Sequence, residues 1–358
     1  MVLEVSTILW SFFLTLMASV IILVTVKYHG RWSHDVAHGV QKFHESPTPR
    51  IGGIAIFLGV MIGFFVQADG LMRQDFLAIM ACSVLPFVVG VREDLFKVAS
   101  VKERLLAMIV ASVIIIVLTK TMIHQVDVPV IDQLLSLPIV AAVFTIFAVT
   151  GITNAINIVD GFNGLASGIS LYIFLFFAAI ALNVGDADMA ELCLILVIAI
   201  VAFMLLNFPF GKIFLGDSGA YFVGFCLAWF AVMLVHRNPT VSPWAPLLIT
   251  AYPVMEVTYS MYRRIRIKMS STLPDNEHLH SLIKTRLIRR FCFGLPAWLR
   301  NSLVSPLVWV SNIAVGLLGV TYQSDTPMLM IFFALFMLVY VLTHKILLMM
   351  PDYDAMGR

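Results

Sequence analysis

Eleven stretches of this chain are almost wholly apolar, and each is about long enough to cross a lipid bilayer. They fall at roughly 7–26, 51–67, 75–91, 105–123, 137–153, 165–183, 190–206, 218–235, 244–262, 302–321 and 328–349. The hydrocarbon core of a bilayer is about 30 Å thick and holds no water for backbone groups, so a spanning stretch becomes a helix of about 20 residues. With only 12% charged residues, the 358-residue chain carries about half the charge of a soluble domain. The pattern predicts an all-α, polytopic integral membrane helix bundle of about 11 transmembrane helices. No polar block is long enough to fold separately, and no internal repeat is visible, so residues 1–358 read as one transmembrane domain. The first stretch has no small-residue cleavage site behind it and reads as a retained helix. Cys82, Cys193, Cys226 and Cys292 show no paired spacing and read as small hydrophobes packed among helices.

Basic residues give the bundle a direction. All but three of the 23 lysines and arginines fall in the odd-numbered connections and the C-terminal tail, the exceptions being Arg73, Lys120 and Arg237. Lysine and arginine accumulate on the cytoplasmic side of a membrane, so the N-terminus is expected outside and the odd connections inside. The polar motifs all fall on that expected cytoplasmic face, whereas the outer loops are short.

The most informative motif is a polar island, Asn154-Ala-Ile-Asn157-Ile-Val-Asp160-Gly-Phe-Asn163-Gly164, set between apolar runs. An acid and a bank of amides at a membrane boundary mark a functional site by default. With it come Thr48-Pro49-Arg50-Ile51-Gly52-Gly53, the acidic pair Glu93-Asp94 followed by Lys97, and a segment running from Asn207 through Lys212 and Phe214 to Gly216-Asp217-Ser218-Gly219. A fifth, basic loop carries His278 and His280. Four carboxylates without a histidine or cysteine cluster suit a hard cation such as Mg²⁺, which takes one or two carboxylates plus phosphate oxygens. Neighbouring lysines and arginines suit phosphate, and glycines beside acids allow a ligand to approach the backbone closely. Metal, phosphate and a membrane surface together point to phosphoryl transfer from a soluble donor to a lipid acceptor.

Two histidines two residues apart point about 200° apart on a helix, so both can face one ligand only on non-helical backbone. Pro274-Asp275-Asn276-Glu277 is a helix-start signal, which puts the pair at a helix N-terminus suited to an anion. Beyond it, Leu279, Leu282, Ile283 and Leu287 form an apolar stripe opposed by Lys284, Arg286, Arg289 and Arg290, as in a helix lying in the membrane interface. Lys102 and Arg104 read first as topology determinants.

These five motifs, in this order from about residue 44 to 290, resemble the polyprenyl-phosphate N-acetylhexosamine-1-phosphate transferases. That family includes the bacterial undecaprenyl-phosphate GlcNAc-1-phosphate transferase and the phospho-N-acetylmuramoyl-pentapeptide transferase. The resemblance implies attack by the phosphate of undecaprenyl phosphate on the β-phosphorus of a UDP-linked amino sugar, with release of UMP. It also implies Mg²⁺, with Mn²⁺ as a substitute, held by Asp217 and Asp160. Glu93, Asp94, Asp160 and Asp217 become the catalytic acids, with the first two assigned jointly because relatives usually carry Asp-Asp there. Thr48, Lys97, Asn154, Asn157, Asn163, Asn207, Lys212, Phe214, His278 and His280 become substrate-binding residues. Among them, Asn207 would hydrogen-bond the uracil and Phe214 would stack on it. By the same resemblance the partners are undecaprenyl phosphate, the UDP-amino sugar, the lipid bilayer and a second copy in a homodimer, with no nucleic acid. The setting would be the bacterial inner membrane, and the product would start O-antigen or another envelope polysaccharide. A peptidoglycan-type muramoyl-pentapeptide transferase is the alternative within the family. A transporter or flippase is the alternative outside it, although transporters place polar groups near the bilayer midplane in repeat-related pairs.

Overall fold

The computed structural model describes residues 5–35, 47–66, 73–268, 277–292 and 294–351. His38, His44, Ser46 and the helix-start residues 274–276 lie outside these. Each of the eleven apolar stretches is largely helical where described. In chain order the elements are α1 (Val5–Val24), α2 (Val26–Ser33), β1 (His34–Asp35), β2 (Thr48–Pro49), α3 (Gly52–Val66), α4 (Arg73–Phe96), α5 (Val101–Thr119) and α6 (Pro129–Leu135). They continue with α7 (Pro138–Val159), α8 (Leu165–Asn183), α9 (Ala187–Asn207), α10 (Gly216–Arg237), α11 (Trp244–Ile249), α12 (Ala251–Arg266) and α13 (Leu279–Leu282). After a π-helical stretch (Ile283–Ile288) come α14 (Arg289–Phe291), α15 (Ala297–Ser302), α16 (Val304–Thr321) and α17 (Thr326–Met349). Among the described residues, seven helices are long and apolar enough to cross a membrane, and eight if the first bent pair is one span. The protein is therefore an all-α, multi-pass membrane protein.

Some of the eleven stretches depart from a straight crossing, each for a local reason. Helices α1 and α2 meet at 87° around Thr25, and α3 is a shorter apolar helix. The stretch expected at 244–262 is broken at Thr250 into α11 and α12. Pro253 has no N–H to give the carbonyl of Ile249, four residues earlier, and that oxygen instead accepts from Asn312 Nδ2 at 3.3 Å. Between α4 and α5 the turn is tight. Lys97 takes a left-handed conformation (φ 56°) straight after α4, and Ser100 with Glu103 forms a reciprocal capping box that starts α5.

Helix α10 is apolar on every face and lies at the centre of the bundle, with Phe222, Phe225, Trp229 and Phe230 fully buried. Close approach of α3 and α4 to its first turn depends on two glycines. A Cβ on Gly53 would stand 2.1 Å from the Gly219 nitrogen, and one on Gly90 would stand 2.5 Å from Ser218 Cα. The polar groups separate to the two ends of the bundle. At one end Arg237 grips Asp186 through two 2.7 Å bonds, and Ser242 and Thr326 both donate to Asp127. The other end carries the acids and histidines.

Alanine at Gly53 should destabilise the protein by about 1–3 kcal/mol through overpacking, read as a lower melting temperature in detergent. Alanine at Gly151, where a Cβ meets nothing within 4 Å, should leave the melt unchanged. Equal behaviour of the two variants would refute close packing of α3 on α10.

Candidate active site

Asp94, on the last turn of α4, is completely buried and points into the start of α10. Its Oδ1 accepts from the Asp217 N–H at 2.9 Å and its Oδ2 from the Ser218 N–H at 2.9 Å. A third bond, from Arg50 Nε at 3.0 Å, reaches Oδ1. Helix N-termini carry free N–H groups and a partial positive charge, and here a carboxylate from another helix satisfies them. Gly216 makes the turn before α10 at φ +75°, where a Cβ would collide with the Arg50 carbonyl and with Asp94 itself.

The same cap aims the Asp217 side chain outward. Its Oδ1 accepts from Arg50 Nη2 at 2.9 Å and from Asn157 Nδ2 at 3.3 Å, while Oδ2 accepts from Arg104 Nη1 at 3.3 Å. Arg104 also donates to the Tyr221 hydroxyl at 3.0 Å, and that hydroxyl donates on to Asn157 Oδ1 at 3.4 Å. Arg50 thus spans Asp94 and Asp217, with Asp35 of β1 within 3.8 Å of its Nη1. The strap that delivers Arg50 is held by backbone bonds: Phe214 N–H donates to Pro49, and Gly52 and Gly53 donate to Phe214 and Leu215.

Asp160 follows α7 as its C-cap. It lines a cavity of about 270 Å³ together with Arg50, Asn157, Asn163, Phe214 and Asp217. Its recessed position first, and then the Asp217 charge, push the Asp160 carboxyl up to about 7. Of the two guanidiniums on Asp217, that of Arg50 lines the cavity and that of Arg104 lies behind it. Among the described residues no three His, Cys, Asp or Glu side chains converge as a protein cage for a metal. Mg²⁺ does not need one, because one or two carboxylates with phosphate oxygens and water suffice. Asp160 and Asp217, sharing one cavity, are a donor set of that kind.

The remaining predicted residues divide clearly. Asn163 and Asn207 reach the cavity, but their amides are engaged within the chain. Asn207 Oδ1 accepts from Gly164 N–H at 2.8 Å and its Nδ2 donates to Ile213 O at 2.8 Å. Asn163 Nδ2 donates to Pro209 O at 3.2 Å. The structure thus gives Asn207 a supporting role beneath the cavity where the sequence suggested a uracil contact. Asn154 turns back to its own helix, donating to Thr150 O at 2.8 Å, and stays outside the cavity wall. Thr48 is buried in the two-residue pairing of β2 with β1. Lys212 is exposed over the Phe210 ring. Lys97, exposed in the α4–α5 turn, has its pKa lowered by partial desolvation and then by the Arg50 charge, and does not line the cavity.

Glu93 and Asp94 face different neighbours. Successive helical residues diverge by about 100°, and while Asp94 enters α10, Glu93 Oε2 accepts from the Ala99 N–H at 2.9 Å in the α4–α5 turn.

The histidines are held as their spacing requires. His278 is the extended N-cap of α13 and His280 lies in its first turn. Both rings meet one carboxylate, that of Glu256 on α12, with Nδ1 to oxygen distances of 3.0 and 3.2 Å. The amphipathic helix expected after them is altered by its π-helical stretch. That extra residue in the turn brings Lys284 inward, to 3% exposed, beside buried Leu282 and Ile288.

Arg50, Asp35, Tyr221 and Glu256 were not singled out by the sequence, whereas Arg104 was, as a topology charge and a basic neighbour suited to phosphate. Arg104 in particular proves to be an Asp217 partner as well as a loop charge. Glu256 had a usable signal, as the one acid inside an otherwise apolar stretch.

A profile described as glycosyl transferase family 4 matches residues 76–235. A "Probable undecaprenyl-phosphate N-acetylglucosaminyl 1-phosphate transferase" of Bacillus subtilis is 29% identical over 303 residues, covering 84% of this chain and 80% of the relative. An "Undecaprenyl-phosphate alpha-N-acetylglucosaminyl 1-phosphate transferase" of Salmonella typhi is 32% identical over 248 residues, 68% of this chain and 67% of the relative. The protein of the same name from Yersinia pestis is 30% identical over the same shares. The chain belongs to this transferase family. The family-4 profile covers α4 to α10, the helices that supply Asp94, Arg104, Asn157, Asp160 and Asp217, while the Arg50 strap and the Glu256–histidine cluster lie outside it.

Asparagine at Asp94 offers one acceptor oxygen where three donors converge. Asp94→Asn should destabilise the fold by about 1–3 kcal/mol, and Glu93→Gln by less than about 0.5 kcal/mol. Thermal melts of the two variants in one detergent decide this, and a larger loss at Glu93 would overturn the anchoring role of Asp94.

Proposed function

We propose that this protein transfers an N-acetylhexosamine 1-phosphate, of the N-acetylglucosamine type, from a UDP-linked sugar to undecaprenyl phosphate. An oxygen of the lipid phosphate attacks the β-phosphorus, the bond between that phosphorus and the bridging oxygen breaks, and UMP leaves. The product is a lipid-pyrophosphate sugar of the kind that starts envelope polysaccharides. The observation that carries this reading is Asp217, placed beside Asp160 in one cavity and flanked by the Arg50 and Arg104 guanidiniums at a bundle end. The names of the relatives support the lipid acceptor and the sugar.

Asp160 and Asp217 would hold Mg²⁺, with Mn²⁺ as a substitute. Bound there, the cation would neutralise charge on the diphosphate. Arg50 and Arg104 present planar, permanently charged forks suited to phosphate oxygens. Their present attachment to Asp217 holds both beside that carboxylate. Asp94 accepts from three donors, so in this reading its part is to anchor Asp217 and Arg50. Phe214, in the cavity wall, offers the ring on which a uracil can stack. The acid-bearing end faces the cytoplasm of a bacterial inner membrane in this reading, with eleven crossings and the N-terminus outside, because the basic residues accumulate at that end. A homodimer belongs to the reading on the family resemblance alone.

Purified protein incubated with undecaprenyl phosphate, Mg²⁺ and UDP-N-acetylglucosamine should release UMP in a lipid-dependent way. EDTA should stop the release, and Asp217→Asn should lower it by at least about 100-fold. Folded protein that releases no UMP from any UDP-amino sugar would refute the reading. Orientation is tested separately with Lys212→Cys in a Cys292→Ser background. A membrane-impermeant maleimide should label it in inverted vesicles and not in intact cells.

A further inference from the structure

The cluster around Glu256 is unusual in its economy. This carboxylate, 1% exposed, accepts from the Tyr252 hydroxyl at 2.7 Å and the Leu279 N–H at 3.3 Å, besides facing Nδ1 of both histidines. A carboxylate only accepts, so each Nδ1 facing it must carry the proton. The Tyr252 hydroxyl gives its one proton to Glu256, so its 3.3 Å contact with His280 Nδ1 also requires Nδ1 to be the donor. The two imidazoles are stacked, with centroids 5.3 Å apart and planes within 5°. Their Nε2 atoms therefore point away from Glu256. For His280 that direction is the cavity wall: a Cβ on Gly161, the residue after Asp160, would stand 3.4 Å from its Nε2. The Phe162 ring lies edge-on to His280 at 5.8 Å and holds it there.

We infer that Glu256 is a positioning residue that locks His278 and His280 as Nδ1–H tautomers, so that Nε2 is the nitrogen His280 offers at the Asp160–Gly161 wall. What meets the His280 nitrogen rests on the transferase reading, in which the UDP-sugar occupies the cavity. The lock itself is a property of this chain. An imidazole whose tautomer is fixed by a buried carboxylate keeps its ring orientation and presents one defined nitrogen to substrate. Glutamine in place of Glu256 offers one acceptor and one donor where the carboxylate offers two acceptors. One ring must then move its proton to Nε2 or lose its partner.

The test uses full-length protein in detergent with ¹⁵N-histidine labelling, the two rings being assigned from His278→Asn and His280→Asn. Long-range ¹H–¹⁵N spectra should show both rings as Nδ1–H in the wild type, and at least one converted in Glu256→Gln. With UDP-N-acetylglucosamine, undecaprenyl phosphate and Mg²⁺, kcat/KM should fall about 10- to 100-fold in Glu256→Gln, the range lost when a partner orienting a functional histidine is removed. Glu256→Asp, which keeps both acceptors, should retain the tautomers and recover most of that loss. Unchanged tautomers in Glu256→Gln would overturn the inference, as would activity losses that merely track melting temperature across the Gln, Asp and Ala variants. If the wild type turned over no UDP-sugar, the proposed function would fall, while the spectra would still decide the lock.

Discussion

A single buried carboxylate, Asp94, holds three parts of the protein in register. It closes the N-terminus of α10, fixes Arg50 on its strap, and ties both to the end of α4. Each of its bonds is charge-assisted and 2.9 to 3.0 Å long. Removing a charge from water inside a membrane protein is expensive unless it is fully partnered, and Asp94 is. The outward direction of Asp217 follows from this arrangement, because its own backbone N–H is one of the donors. Cavity, arginines and acids are consequences of one capped helix end.

Small residues make that closure sterically feasible. Gly53, Gly90 and Gly216 stand where a methyl group would strike backbone atoms or the Asp94 carboxylate itself. The close approach brings three helix ends together, and the Asp217 carboxylate is then shared by guanidiniums from two of the neighbouring segments. Rigid helix termini position functional groups more accurately than free loops do. The segment that departs most from regular helix, around α13 and its π-helical turn, is anchored in its turn by Glu256.

The site therefore has two halves with opposite electrostatic logic. Around Asp217 the carboxylates meet permanent cations, and Asp160 shares the cavity beside them. Around Glu256 one carboxylate accepts from a hydroxyl and a backbone N–H and faces Nδ1 of two rings. The halves touch where His280 and Phe162 meet the turn at Asp160–Gly161. A broken helix, α11–α12, carries the second half: its interruption at Thr250 is stabilised by Asn312, and Glu256 follows one and a half turns later.

Apolar stretches separated by polar motifs were sufficient for the sequence to determine an all-α membrane bundle, since backbone in hydrocarbon has no alternative but to bond to itself. Its spacing also determined that His278 and His280 could share a ligand only off the helix, and its clustered motifs marked Asp160 and Asp217. Linear order could not say that adjacent Glu93 and Asp94 serve different neighbours, because a 100° turn separates them and only packing decides what each side meets. Nor could it show that Asn207 braces Gly164, that Arg104 reaches Asp217, or that the shared ligand of the histidines is Glu256. Those partners lie from 22 to 113 residues apart in the chain. Helix identity is written in local composition and periodicity. The pairing of buried polar groups is settled only when the tertiary structure excludes water and each must find its partner within the protein.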